Sequence, residues 1–164
     1  MGLRSEKTPV LDVARLRPGD HICYPTSYVS IAYHHAIVTR VINESEIEVI
    51  HYSGPPEDDE ASSSSSNSVS SIRFSSSKKD ADIAIIRKDK VDLSKFAKGG
   101  KLFRVDYEND DNCYSADYVV MRAESKVGQF GLKKCGYDLL RNNCEHFASW
   151  CKTGEAFSLQ SCLK

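Results

Sequence analysis

In the first two-thirds of the chain, short runs of apolar residues are separated by turn-forming or polar segments, which is typical of β-strands. The clearest strands are Ile31 to Ile42 and Ile47 to Tyr52, which are rich in β-branched and aromatic residues. The turn-forming residues 43–45 separate them, so the pattern predicts a β-hairpin. Further strands are predicted at residues 21–24, directly after the turn Pro18-Gly19-Asp20, and at 71–74, 83–87 and 101–107.

The last third of the chain has the spacing of amphipathic helices. One helix is predicted over residues 115–123, with Ser115 as its cap and glycines at 128 and 131 ending it. A second begins at Asn142-Asn143 and runs through Cys151, with Gly154 as the C-cap glycine. Because strands come first and helices last, we expect an α+β fold with an antiparallel sheet packed against helices.

The length of 164 residues fits one domain. We predict a loose lead-in over residues 1–11, the folded domain over 12–154 and a C-terminal tail over 155–164. Residues 57–71 are acidic and then serine-rich, and such a segment buries too little apolar surface to offset the entropy of ordering it. They are predicted to form a mobile surface loop.

Charge and apolar content exclude several classes of protein. The 22 basic and 23 acidic residues nearly cancel, so no basic excess points to nucleic acid. No apolar run is long enough to span a bilayer, and the N-terminus lacks the apolar core of a signal peptide. A cytoplasmic protein with reduced cysteines is therefore expected.

Cys144 is the candidate nucleophile. If Asn143 caps the second helix, Cys144 lies in the first turn, where the helix dipole and unpaired amides favour a thiolate. The same amides are candidates for holding an oxyanion. Helical spacing also directs Cys144 toward the sheet, together with Phe147 and Cys151.

The predicted hairpin supplies a base and a residue to orient it. His34 shares a strand face with Ala36, and His51 shares one with Val49. Pairing Ala36 with Val49 places His34 opposite His51, on the face that we expect the helix to cover. This register leaves a tight loop, which a bulge would relieve.

Pattern alone leaves catalysis and coincidence both open for Cys144, His34 and His51. The remaining histidines and cysteines have simpler interpretations. His21 is expected to be a hydrogen-bonded strand residue, and His146 is two helical positions from Cys144 and does not face it. Small apolar core residues are expected at Cys113, Cys135, Cys151 and Cys162. A zinc site from Cys144, His146 and Cys151 is the weakest alternative, because its spacing matches no standard pattern; no metal or cofactor is expected.

Three motifs in order resemble the lecithin:retinol acyltransferase-like family, which includes the H-Ras-like suppressor phospholipases. They are the turn Pro18-Gly19-Asp20, the motif His34-His35-Ala36-Ile37 and the motif Asn143-Cys144-Glu145-His146-Phe147. The resemblance covers roughly residues 12–154 and implies a permuted papain-like thiol hydrolase fold, with the histidines before the cysteine. It implies Cys144 as nucleophile, His34 as base and His51 as third member, with His35 as a secondary candidate for the base.

The resemblance also implies ping-pong acyl transfer through an acyl-cysteine thioester. A glycerophospholipid donates the acyl chain, and water, an amine or an alcohol accepts it. An inactive binding module of the same fold and a papain-like thiol peptidase or deamidase are the alternatives. The chain departs from the family in its serine-rich insertion and in lacking an apolar anchor over residues 157–164. Membrane contact is therefore expected to be weak and peripheral, with Tyr24, Tyr28 and Trp150 as the contacting residues.

Overall fold

One six-stranded antiparallel sheet with two α-helices makes up the part of the chain that the computed structural model describes, residues 4–25, 33–53, 84–94, 101–108, 110–132 and 143–158. The strand order is β1-β6-β2-β3-β4-β5. The strands are β1 Ser5–Pro9, β2 His21–Pro25, β3 Tyr33–Val41, β4 Glu46–Ser53, β5 Ile85–Asp92 and β6 Phe103–Tyr107; the helices are α1 Ala116–Glu124 and α2 Cys144–Thr153. The predicted α+β class is confirmed.

The β3–β4 hairpin has a different register from the predicted one. Val38 pairs with Val49, so the predicted pairing of Ala36 with Val49 is wrong by two residues. The predicted register would join Ile42 directly to Asn43, whereas the amides of both residues donate to the carbonyl oxygen of Glu46 across a longer turn. A bulge between Val38 and Arg40 takes up one residue. Because a shift of two keeps each side chain on its face, the faces of His34 and His51 are unaffected.

The two faces of the sheet carry separate cores. On one face Ala36, Val38 and Val49 pack with Leu16 and Leu102. On the other face lie the helices, and there the sheet residues Ile37, Ile50, Tyr52 and Ile86 pack with Val119, Ala123, Phe147 and Cys151. Since adjacent strand residues point to opposite faces, each strand contributes to both cores.

Several boundaries differ from the prediction. Residues Ser5–Pro9, expected in a loose lead-in, form β1 on the sheet edge, and β5 continues to Asp92 instead of stopping at residue 87. Charged residues are usual on edge strands, and their presence in β1 and in the second half of β5 is why the sequence pattern did not predict these strand segments. Helix α1 ends at Glu124, before the two glycines. The expected strand at 71–74 and loop at 57–71 lie outside the described residues. Within that part of the chain, no helix is long and apolar enough to cross a membrane.

The predicted turn at Gly19 joins the sheet to both helices. Gly19 has φ of 88°, and its amide donates to the carbonyl of Val38 at 2.8 Å. A Cβ at Gly19 would lie 2.8 Å from Cα of Ala116, at the start of α1. The Lys152 Nζ, near the end of α2, donates to the Gly19 carbonyl oxygen at 3.2 Å. The turn therefore sets how closely α1 approaches the sheet.

We expect Gly19→Ala to destabilise the fold through both backbone strain and this collision. Strain in the left-handed region costs roughly 1–2 kcal/mol for a residue with a Cβ, and the displacement of α1 adds to it. Gly128→Ala is the matched control, because Gly128 has φ of 86° but a Cβ there would meet no atom of the described residues within 4 Å. Urea denaturation should show the larger loss for Gly19→Ala; equal losses in the two variants would contradict the close contact with α1.

Candidate active site

Helix α2 begins at Cys144 because Asn143 caps it. The side-chain Oδ1 of Asn143 accepts hydrogen bonds from the amides of Glu145 at 2.9 Å and His146 at 3.0 Å. The His146 ring completes a capping box by accepting from the Asn143 amide at 3.3 Å. The predicted cap is confirmed. However, two of the first-turn amides that were candidates for holding an oxyanion already bind Asn143.

The Cys144 thiol reaches the beginning of strand β3. It is 3 % exposed, and its Sγ lies 3.9 Å from the backbone carbonyl oxygen of Tyr33, the residue before His34. Burial raises the pKa of Tyr24, and charge on Cys144 and on Asp89 raises it further. Tyr24 is the pairing partner of His34 in β2. The thiol is therefore close to the strand end that carries His34.

His34, His51 and Asp89 form a buried hydrogen-bonded series across three adjacent strands. His34 Nε2 and His51 Nδ1 are 2.7 Å apart, and His51 Nε2 is 2.8 Å from Asp89 Oδ2. Both histidines are fully buried, whereas the Asp89 side chain is 19 % exposed. The predicted side-by-side placement of His34 and His51 is confirmed; their catalytic roles stay predictions.

Asp89 is a member of this series that sequence reasoning missed. It lies in the charged stretch 87–90, and the predicted strand ends at residue 87. The available signal was the alternation of Asp89 with Val91 and Leu93, both buried in the core on the same face. Burial opposes ionisation of Asp89, but the hydrogen bond from His51 and the nearby Arg87 outweigh it and lower its pKa.

The histidine pair lies on the face of the sheet opposite the helices, contrary to the prediction. His34 shares its face with Ala36 and Val38, whereas α2 packs against the face that carries Ile37. The register error did not cause this, because it preserved the faces. The sequence pattern could not show which core the helices would cover. Cys144 belongs to the core on the helix face, and its Sγ reaches the strand that carries His34 at the carbonyl of Tyr33, at the beginning of β3.

A second histidine series occupies the helix face. His35 Nδ1 is 2.8 Å from His21 Nε2, and His21 Nδ1 is 2.8 Å from the Tyr107 hydroxyl. His35 Nε2 lies 3.9 Å from Glu145 Oε1, in the first turn of α2. Glu145 in turn accepts a hydrogen bond from Ser158, in the predicted tail. His21 is hydrogen-bonded as expected, and His35 lies beside the helix that carries Cys144.

Three buried histidines, His21, His34 and His35, have lowered pKa values that favour the neutral ring. Burial lowers the pKa of His34 well below its ordinary value, and His51 and His35 add to the effect. Burial likewise lowers the pKa of His21. It lowers the pKa of His35 to about 4, although Glu145 acts in the opposite direction. A neutral imidazole has a nitrogen lone pair, which a general base requires.

The other cysteines divide into buried thiols and one partly exposed thiol. Burial raises the pKa of Cys23 to about 12 and also raises the pKa of Cys151, so both remain protonated. Cys113 is partly exposed, and none of the four described cysteines, including Cys144, is in a disulfide. Cys135 and Cys162 lie outside the described residues. Within those residues, no group of three potential ligands is placed to hold a metal ion.

The residues expected at a membrane surface are arranged differently. Tyr24 is 3 % exposed and packs in the core with its ring centroid 5.5 Å from that of His34, so its expected surface role is wrong. Trp150 is partly buried, and the Arg122 guanidinium stacks 3.8 Å from its ring centroid. Tyr28 lies outside the described residues.

Comparison with known proteins supports the predicted resemblance. The family model described as Lecithin retinol acyltransferase matches residues 14–157. The mouse (Mus musculus) protein named Phospholipase A and acyltransferase 1 is 34 % identical to this chain over 74 residues. That match covers 44 % of this chain and 42 % of the mouse protein, so the chain spans less than half the length of this relative.

We expect stability to fall as the pH decreases from about 6.5 toward 4. In the unfolded chain, His35 becomes protonated below the ordinary histidine pKa of 6.5. In the folded chain, the buried His35 stays neutral until the pH reaches its lowered pKa of about 4. Protonation therefore favours unfolding in this window, by up to about 1.4 kcal/mol per pH unit for each such histidine. Urea denaturation at pH 7 and pH 5 measures the slope. His35→Asn should make it shallower; a wild-type stability that is flat over this range would contradict neutral burial.

Proposed function

Since the chain belongs to the lecithin retinol acyltransferase family, we propose that it is a thiol-dependent phospholipid acyltransferase and phospholipase, with Cys144 as nucleophile and His34 as base. The observation that carries the proposal is the position of Cys144. Its thiol lies at a capped helix N-terminus, 3.9 Å from the carbonyl of the residue preceding His34, and His34 begins a buried hydrogen-bonded series. The match to a phospholipase and acyltransferase over part of the chain supports the same chemistry.

The first half-reaction transfers an acyl chain to the cysteine. The Cys144 proton passes to His34, and the thiolate attacks the ester carbonyl carbon of a glycerophospholipid. The resulting tetrahedral intermediate collapses when its bond to the glycerol oxygen breaks, and that oxygen takes the proton from His34. A lysophospholipid leaves, and the acyl group remains on Cys144 as a thioester.

The second half-reaction regenerates the thiol. Water, an amine or an alcohol attacks the thioester carbonyl while His34 accepts its proton, and the Cys144 sulfur departs and takes that proton back from His34. The same residues therefore serve both a phospholipase, with water as acceptor, and an acyltransferase, with an amine or alcohol. His51 would orient His34 and support the positive charge that forms on it.

The proposed arrangement is a permuted papain-like one, in which the histidine strands precede the cysteine helix in sequence. The order β3, β4 and α2 along the chain supports it. A phospholipid substrate also requires contact with a membrane, which we propose to be weak and peripheral. The near-equal numbers of acidic and basic residues support weak attraction to anionic lipid.

We expect Cys144→Ser to form no acyl-enzyme and to lose lipid turnover while keeping its fold. Incubation with phosphatidylcholine followed by intact-mass measurement should show one added acyl group on the wild type, released by hydroxylamine. Cys113→Ser is the matched control, because Cys113 is also outside any disulfide but is not part of the proposed site. Acylation that persists in Cys144→Ser would refute the assignment of the nucleophile.

We expect His34→Ala to reduce turnover more than His51→Ala does, because His34 transfers the proton and His51 only orients it. Proton transfer by a positioned side chain is typically worth ~100-fold or more. His35→Ala decides between the two adjacent histidines, since His35 lies on the helix face beside Glu145. Single-turnover acylation rates for the three variants, with folding checked by circular dichroism, give the order. An inactive His35→Ala with an active His34→Ala would exchange their roles.

A further inference from the structure

We infer that Asp89 is a positioning residue that acts through His51 to hold His34 in the tautomer with an unprotonated Nδ1. This inference rests on the proposed role of His34 as the base, and it extends the predicted cysteine–histidine–histidine set by a fourth residue. Asp89 makes a direct contact with His51 and reaches His34 only through it.

The positions of the protons follow from the hydrogen-bond partners. An ionised carboxylate only accepts, so the contact of 2.8 Å between Asp89 Oδ2 and His51 Nε2 requires the proton on Nε2. In a neutral His51 the Nδ1 is then an acceptor. The contact of 2.7 Å to His34 Nε2 therefore requires His34 to donate from Nε2. A neutral His34 that carries its proton on Nε2 has its lone pair on Nδ1.

The surroundings of His34 Nδ1 fit this assignment. The atom is buried, and no hydrogen-bond partner for it lies among the described residues. Protonated, it would be a buried donor with no acceptor among the described residues, which is unfavourable. Unprotonated, it carries the lone pair that the proposed transfer of the Cys144 proton to His34 requires. The Cys144 Sγ contacts the residue immediately before His34.

Asp89 also supplies the negative charge that the series needs when His34 becomes protonated. The charged or titratable groups facing Asp89 are His51 on β4, Tyr24 on β2 and Arg87 on β5, whose Nε lies 3.2 Å from the same carboxylate oxygen. Those facing His34 are His51, His35 and Tyr24. Asp89 is thus the ionised acid of the group, and its removal should disfavour the pair of Cys144 thiolate and His34 imidazolium.

Two variants separate charge from shape, and the fold provides a matched control. Asp89→Asn removes the charge and keeps the size, whereas Asp89→Ala removes both. Asp106→Asn is the control, because Asp106, like Asp89, lies two residues after an arginine on the same strand and is paired with it. The Arg104 Nε is 2.7 Å from Asp106 Oδ1. Its other partner is the hydroxyl of Thr8, so it contacts no histidine of the site.

The first measurement needs no lipid. Long-range ¹⁵N–¹H correlation spectra of the full chain report which ring nitrogen of His34 and of His51 carries the proton. We expect Nε2 protonation on both rings in the wild type and in Asp106→Asn, and a changed or mixed population in Asp89→Ala. A wild-type His34 protonated on Nδ1 would overturn the inference, and so would tautomers that stay the same in Asp89→Ala.

The second measurement follows the rate at which iodoacetamide alkylates Cys144 as a function of pH. We expect the midpoint to move upward by about one pH unit or more in both Asp89 variants, because an ion partner is lost. Asp106→Asn should keep the wild-type midpoint. In lipid turnover, the Asp89 variants should lose about 10-fold or more in kcat with little change in KM. An unmoved midpoint in folded Asp89→Asn and Asp89→Ala would overturn the inference. If the wild type shows the expected tautomers but no lipid turnover, that result counts against the proposed function alone.

Discussion

The side-chain oxygen of Asn143 binds two backbone amides of helix α2, and the helix begins at Cys144 for that reason. The cap fixes the position of Cys144 and of other residues near the beginning of the helix. It directs Glu145 toward His35 and brings Asn143 within 3.4 Å of Ser158, so the segment after the helix is tied to its beginning. Loss of an N-cap typically costs ~1 kcal/mol, but here it would also release the position of the thiol relative to β3.

Two adjacent residues of strand β3, His34 and His35, belong to two separate buried hydrogen-bonded series. His34 points to one face and reaches Asp89 through His51, while His35 points to the other and reaches Tyr107 through His21. Hydrogen bonds between the side chains of each system lower the cost of burying these polar groups in a core. The two systems differ at their ends. One terminates in an ionised carboxylate, and the other in a tyrosine whose pKa is raised by burial.

Local patterns predicted the parts of this structure that depend on local physics. The hairpin, the Asn143 cap and the Gly154 C-cap follow from side chains within a few residues, and the family resemblance added the order of His34, His51 and Cys144. The predicted register between β3 and β4 was wrong because the length of the turn, and not the hydrophobic pattern, determines it. The prediction of which sheet face the helices cover was wrong because both faces of β3 are apolar, so the hydrophobic pattern could not distinguish them. Asp89 was missed because it joins His51 through a pairing between distant segments of the chain.

The carboxylate at the end of the His34 series lies on β5, which is the last strand of the sheet among the described residues and pairs there with β4. Edge strands fray with free energies below that of global unfolding. Each fraying event that carries Asp89 away would leave His51 and His34 in place on the central strands. The acid that orients the pair is thus present for a fraction of the time set by local strand opening. Mild heating or low denaturant would consequently inactivate this arrangement before any spectroscopic probe of the core reports unfolding.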